Sequence, residues 1–154
     1  MRDTPEAAGP AEDTGAARTV LAFDFGLRRI GVAVGQVVTR SATALTTLPA
    51  VEGEPDRDAL AGLIGEWRPD RLLLGMPLAA GETSALEQPL QRFRRRLEAF
   101  GIPVELVDEQ FSSAEAQSRL AAERRSGTRR RRVRKADIDS LSARIIAEQW
   151  LARR

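Results

Sequence analysis

The 154-residue chain is 42% hydrophobic and 30% charged, with 24 basic against 22 acidic residues and a formal charge of +2. That length and balance describe one domain with its own core, and no apolar run approaches the roughly 20 residues of a membrane span. With no His and no Cys, imidazole bases, thiolate nucleophiles, disulfides and zinc ribbons are excluded, leaving carboxylates, Ser, Lys, Arg, backbone amides or a hard cation.

Residues 1–17 are rich in Ala, Pro, Gly and acids, which predicts a disordered tail. They contain no apolar stretch of the secretory type, so the expected compartment is the cytoplasm. The domain is expected to occupy 18–154. It opens with the strand "RTVLAFDF", turns through "GLRR" and returns as "IGVAVGQ", a β-hairpin. "SATALTTL" predicts a third strand by its β-branched content. "EPDRDALAGLIGEW" places Leu60, Leu63, Ile64 and Trp67 at helical spacing, with Pro55 near its start. "RLLLGMP" is a short strand punctuated by Gly75 and Pro77. "TSALEQPLQRFRRRLEAFG" predicts a helix ended by Gly101, and "PVELVDEQ" a fifth strand. "SSAEAQSRLAAERR" sets Ser112 three before Glu115, a capping-box spacing that predicts another helix. A basic loop, "RRSGTRRRRVRK", and a terminal helix, "ADIDSLSARIIAEQWLARR", complete the chain. The order βββαβαβαα implies an α/β fold with a mixed five-stranded sheet, an antiparallel hairpin edge and parallel strands beyond it.

Three acidic positions call for a reason. Asp24 interrupts an apolar strand and is followed at once by Gly26, Arg28 and Arg29; a buried carboxylate is costly unless something compensates it. Asp108 and Glu109 end the fifth strand. Asp139 shares a stripe with Ala143, Ile146 and Trp150 that is otherwise apolar, so it points toward the sheet and Asp137 toward solvent. Taken singly each acid has an ordinary reading: a turn organiser at Asp24, a complement to a helix N-terminus at Glu109 and Asp139. Together, with no His or Cys, they suit divalent cations that clamp a phosphoryl group and activate water. Gly26 would let a phosphate or a metal come close to the strand end.

Four blocks, "DFGLRRIGVAVG", "LLLGMPL", "VDEQFSSAEA" and "KADIDSLSARIIAE", resemble in order the signature blocks of the YqgF family. The resemblance spans roughly residues 19 to 152. It implies a ribonuclease-H-like fold shared with Holliday-junction resolvases and a nuclease that processes the 5′ end of pre-16S ribosomal RNA. It places the family's acids on Asp24, on the Asp108–Glu109 pair and on Asp139, as ligands of Mg2+ or Mn2+. Asp24, Glu109 and Asp139 would be catalytic. Gly31, from the D-x-G-x-x-R-I-G block, would be structural, with Gly26, Gly75 and Pro77. Lys135, the only lysine in the chain, matches a family lysine four before the last acid. The sequence also departs from the pattern. Gln110 replaces an Arg, Ser113 replaces a Thr, and "PLAAGETS" lacks the family's polar turn. The fourth strand ends without an acid, so Glu109 would have to substitute from the neighbouring strand.

The loop from 124 to 135 holds Arg129, Arg130, Arg131, Arg132, Arg134 and Lys135 just before Asp139. A charge run is ordinarily a solvated segment. Beside a candidate metal site it also suits a phosphate backbone, and without aromatic residues it offers no base stacking. Arg28, Arg29 and Ser113 are the remaining expected nucleic-acid contacts. The function expected is therefore cleavage of RNA, with pre-rRNA as substrate and a ribosomal or assembly-factor partner. The alternatives are a resolvase-like nuclease for branched DNA and a non-catalytic RNA-binding assembly or transcription factor. An actin-like ATPase needs two such domains and a much longer chain.

Overall fold

The structure is a computed structural model and describes residues 18–76, 83–108 and 135–153. The tail at 1–17, Pro77 and the helix and basic loop expected between 112 and 134 lie outside the described residues.

Continuous apolar runs, buried on both faces, make the central strands. β1 (Thr19–Asp24), β2 (Arg29–Gln36) and β3 (Ser41–Val51) form an antiparallel meander. β1 also pairs in parallel with β5 (Arg71–Met76), and β5 with β6 (Val104–Asp108). With β4 (Glu54–Pro55), the order across the sheet is β4-β3-β2-β1-β5-β6, which puts β1 at its centre. The sheet is thus mixed, as expected, but it has six strands and not five. The addition is β4 (Glu54–Pro55), which pairs with Ala50 and Val51. These two residues were expected to open the first helix. Instead Arg92 and Arg96 hold the Glu54 carboxylate at 3.7 and 3.0 Å, and α1 begins after them.

α1 (Arg57–Trp67) starts where Asp56 accepts a hydrogen bond from the Ala59 amide at 2.9 Å, satisfying one orphan donor of the first turn. α2 (Thr83–Glu98) runs through Pro89 and stops before Gly101, whose φ of 78° suits the chain reversal. α1 and α2 cover one sheet face, where Leu21, Phe23, Ile30, Val32, Leu72 and Leu74 meet Leu60, Leu90, Phe93 and Leu97. α3 (Lys135–Ala152) covers the other, burying Val20, Ala22, Leu73 and Val107 under Ile146, Ala147 and Trp150. Consecutive side chains of β1 therefore serve opposite layers.

Glycines bring α3 close to the sheet. A Cβ at Gly31 would overlap the backbone carbonyl oxygen of Asp139, and one at Gly75 would overlap the Ile146 side chain. Gly26 has a more local purpose than expected: a Cβ there would come within 2.5 Å of the Arg29 carbonyl oxygen, so its bare backbone lets the hairpin turn close. Gly62 lies in the exposed part of α1, where an added Cβ would meet no atom within 4 Å. Gly62→Ala should stabilise the protein by about 0.5 to 1 kcal/mol, the helical cost of glycine. Urea unfolding of the single variant checks this.

Candidate active site

Asp24 ends the central strand, half-buried. It shares parity with Val20 and Ala22, which pack under α3, so it belongs to the α3 face of the sheet. Its register partners are both glycines, Gly31 on β2 and Gly75 on β5. The floor on either side of the carboxylate therefore carries no side chain.

Asp139 reaches the same place from α3. Its backbone lies directly over Gly31, the cross-strand partner of Asp24. The rest of its stripe, Ala143, Ile146 and Trp150, is buried against the sheet. Its Oδ2 accepts a hydrogen bond from Arg29 Nε at 2.8 Å. Arg29 begins β2 two positions before Gly31 and so rises from the same face. Their side chains are 39% and 24% exposed, so this pair is partly wet and worth up to about 1 kcal/mol.

Around them, Arg28 is exposed in the turn between β1 and β2. That turn is pinned: Ala50 donates its amide to the Arg28 carbonyl at 2.8 Å, and Gly53 to the Leu27 carbonyl at 2.9 Å. Phe25 anchors it from the other layer, its ring 5.6 Å from that of Phe93. Asp108 is the last residue of β6, in register with Met76, and Lys135 is the first of α3. The carboxyl ends of β1, β5 and β6 thus share one edge of the sheet, the edge where α/β folds commonly bind ligands. Glu109, Ser113, Arg129, Arg130, Arg131, Arg132 and Arg134 lie outside the described residues. Among the described residues no three acidic side chains form a metal-holding group; what the fold brings to Asp24 is the backbone of Asp139, seated on Gly31, its strand partner.

The sequence reading missed the device that seats α3. Glu105 Oε1 on β6 accepts from Trp150 Nε1 at 3.0 Å and from the buried Arg71 Nη1 at 3.2 Å. One carboxylate thereby ties the far half of α3 to β5 and β6, and with it the helix that carries Asp139. Its only trace in the sequence is Arg71 opening an otherwise apolar strand.

A family model, RuvX, described as a Holliday junction resolvase, matches residues 18–153. The chain belongs to the RuvX family. RuvX is the family that the signature blocks resemble under the name YqgF. A relative from Nitrosococcus oceani, named "Putative pre-16S rRNA nuclease", is 43% identical over 153 residues, covering 98% of this chain and 95% of its own. One from Azotobacter vinelandii with the same name is 44% identical, over 89% of this chain and 95% of its own. Among solved structures, Thermus thermophilus RuvC in complex with a Holliday junction matches with a TM-score of 0.51 at 15% identity. That match covers 88% of this chain and 95% of the other. The fowlpox virus Holliday junction resolvase matches with a TM-score of 0.50 at 8% identity, over 88% and 99%. At such identities the likeness is one of fold: this chain shares the ribonuclease-H-like mixed sheet with the resolvases. No helix among the described residues is long and apolar enough to cross a membrane.

Proposed function

We propose that this RuvX chain is a divalent-cation-dependent nuclease that cleaves structured RNA in the cytoplasm, with the 5′ end of pre-16S rRNA as its substrate. The observation that carries the reading is the seating of Asp139, from the last helix, on Gly31, the strand partner of Asp24 in the first strand. The names of its relatives supply the substrate.

The donor set fits Mg2+ or Mn2+. All its ligands are carboxylate oxygens, and the chain has no His or Cys to favour a softer metal. Asp24 and Asp139 would hold the cation with Glu109. Asp108, its neighbour at the end of β6, is the alternative ligand. When bound, the cation supplies charge for the scissile phosphate and lowers the pKa of an attacking water. The chain's own residues do the rest. Exposed Arg28 would meet the backbone beside Asp24, and Ser113 and Lys135 would add a donor and a cation.

Arg129, Arg130, Arg131, Arg132 and Arg134 are proposed to hold the backbone without reading sequence. Replacing residues 129 to 132 by Ala should weaken binding alike across sequences, with little change in stability. Each lost phosphate contact should lower the log–log salt slope by about 0.7 to 0.9. An unchanged slope in filter-binding titrations would remove the loop from the interface.

The deciding experiment incubates purified protein with Mg2+ or Mn2+ on a pre-16S 5′-leader RNA and on four-way DNA junctions. Cleavage of the RNA is expected. The family description favours branched DNA as the second reading, and cutting of the junctions alone would establish it. Tight RNA binding without cleavage of either substrate would make the protein an assembly factor.

A further inference from the structure

Two carboxylates on one partly dehydrated sheet face repel each other unless a positive charge lies between or beside them. Here that charge is already in the chain. Arg29 Nε sits 2.8 Å from Asp139 Oδ2, on the same carboxylate that a cation would seek. The guanidinium occupies part of the carboxylate's acceptor capacity and repels a divalent cation arriving at the rest, so the two compete for Asp139.

We propose that Arg29 is the resident counter-cation of Asp139, displaced when a divalent cation binds and thereby released to a substrate phosphate. The proposal rests on the reading of Asp24 and Asp139 as cation ligands. Several features favour it. The pair is partly exposed, so Arg29 can leave without stranding a buried charge. Arg29 is anchored by its backbone in β2, so only its side chain has to swing. Its neighbour Arg28 is already exposed on the same turn, so the released guanidinium joins a second one facing the backbone of a nucleic acid. A planar fork suits both partners, a carboxylate before and a phosphate after. Cation and phosphate then assist each other: each removes the group that the other would have to displace, and linkage makes the benefit reciprocal.

The test measures Mn2+ binding to full-length protein by electron paramagnetic resonance, without nucleic acid. Arg29→Gln should tighten Mn2+ binding about five-fold, the equivalent of a partly exposed ion pair no longer to be broken. Arg29→Lys keeps the competing charge and should lie near wild type. Combined with Asp139→Asn, Arg29→Gln should make no further difference, because the competition acts through Asp139. Melting gives a second readout. With a chelator Arg29→Gln should melt below wild type, and with saturating Mn2+ the gap should close. Equal or weaker Mn2+ binding by Arg29→Gln overturns the proposal, as does a tightening that persists beside Asn at position 139. Asp24→Asn separates the two levels of the claim. If it weakens Mn2+ binding while Arg29→Gln changes nothing, the site stands and the competition is refuted; if Asp24→Asn leaves Mn2+ binding intact, both fall.

Discussion

Asp24→Asn should leave a folded protein whose cleavage of RNA is lower by about two to four orders of magnitude. Several kcal/mol of transition-state stabilisation are at stake when a metal ligand is removed, at 1.36 kcal/mol per factor of ten. Asn nearly matches Asp in shape, so the substitution removes the charge with little change in packing. Removing one of two like charges makes the cation-free protein as stable as wild type or slightly more so. What it loses is the response to metal. At a cation concentration about 100 times its Kd, wild type gains about 2.7 kcal/mol, and the variant should gain far less. Substrate binding through the arginines survives. The measurement is thermal unfolding of both proteins with and without Mg2+ or Mn2+, beside a cleavage assay. A variant destabilised by about 1 kcal/mol that keeps the full metal response would make Asp24 a turn organiser, the size of a lost local hydrogen bond.

Gly31→Ala is expected to be the most damaging small substitution in the described core. A methyl group at Gly31 falls on the backbone of Asp139 and Ser140, and not on the end of a flexible side chain. Neither the central strands nor a helix turn yields cheaply, so the cost should be about 3 kcal/mol, the upper range for overpacking. For a chain of this size that lowers the melting temperature by roughly 6 to 12 °C. Gly75→Ala should cost less, because it meets the side chain of Ile146, which can change rotamer. Unfolding curves for the two variants test the ranking. A loss below about 0.5 kcal/mol at Gly31 would mean that α3 does not rest on β2 as described.

Where periodicity was long, the sequence was readable. The apolar runs of the first two strands, the β-branched third, and the 3.6-residue repeats of the helix from Arg57 and the terminal helix are all visible in the sequence, and the structure has them within a few positions. The stripe of Asp139, Ala143, Ile146 and Trp150 even identified which side of α3 meets the sheet. β4 escaped notice because two residues have no period. Its pairing with β3 comes from the tight turn at Glu52 and Gly53, both at positive φ, and Arg92 and Arg96 meet Glu54 from some forty residues away in the chain. The Arg29–Asp139 pair escaped for a related reason. Its partners are 110 positions apart, and an arginine after a strand looks the same whether it meets a phosphate or a carboxylate. Parity alone held a clue, since Arg29 and Gly31 share a face and Gly31 lies under Asp139.

The central place of β1 also bears on the birth of the protein. β1, β2 and β3 are neighbours in the chain as well as in the sheet, so they can pair soon after leaving the ribosome. The face formed by Val20 and Ala22 must wait for Ile146, Ala147 and Trp150 to be translated. In that interval a sticky, partly finished surface faces water, a natural target for chaperones. The unfinished chain also holds one acid of the pair without the other. On the proposed chemistry, a growing copy cannot cut the ribosomal RNA that surrounds it while it is being made.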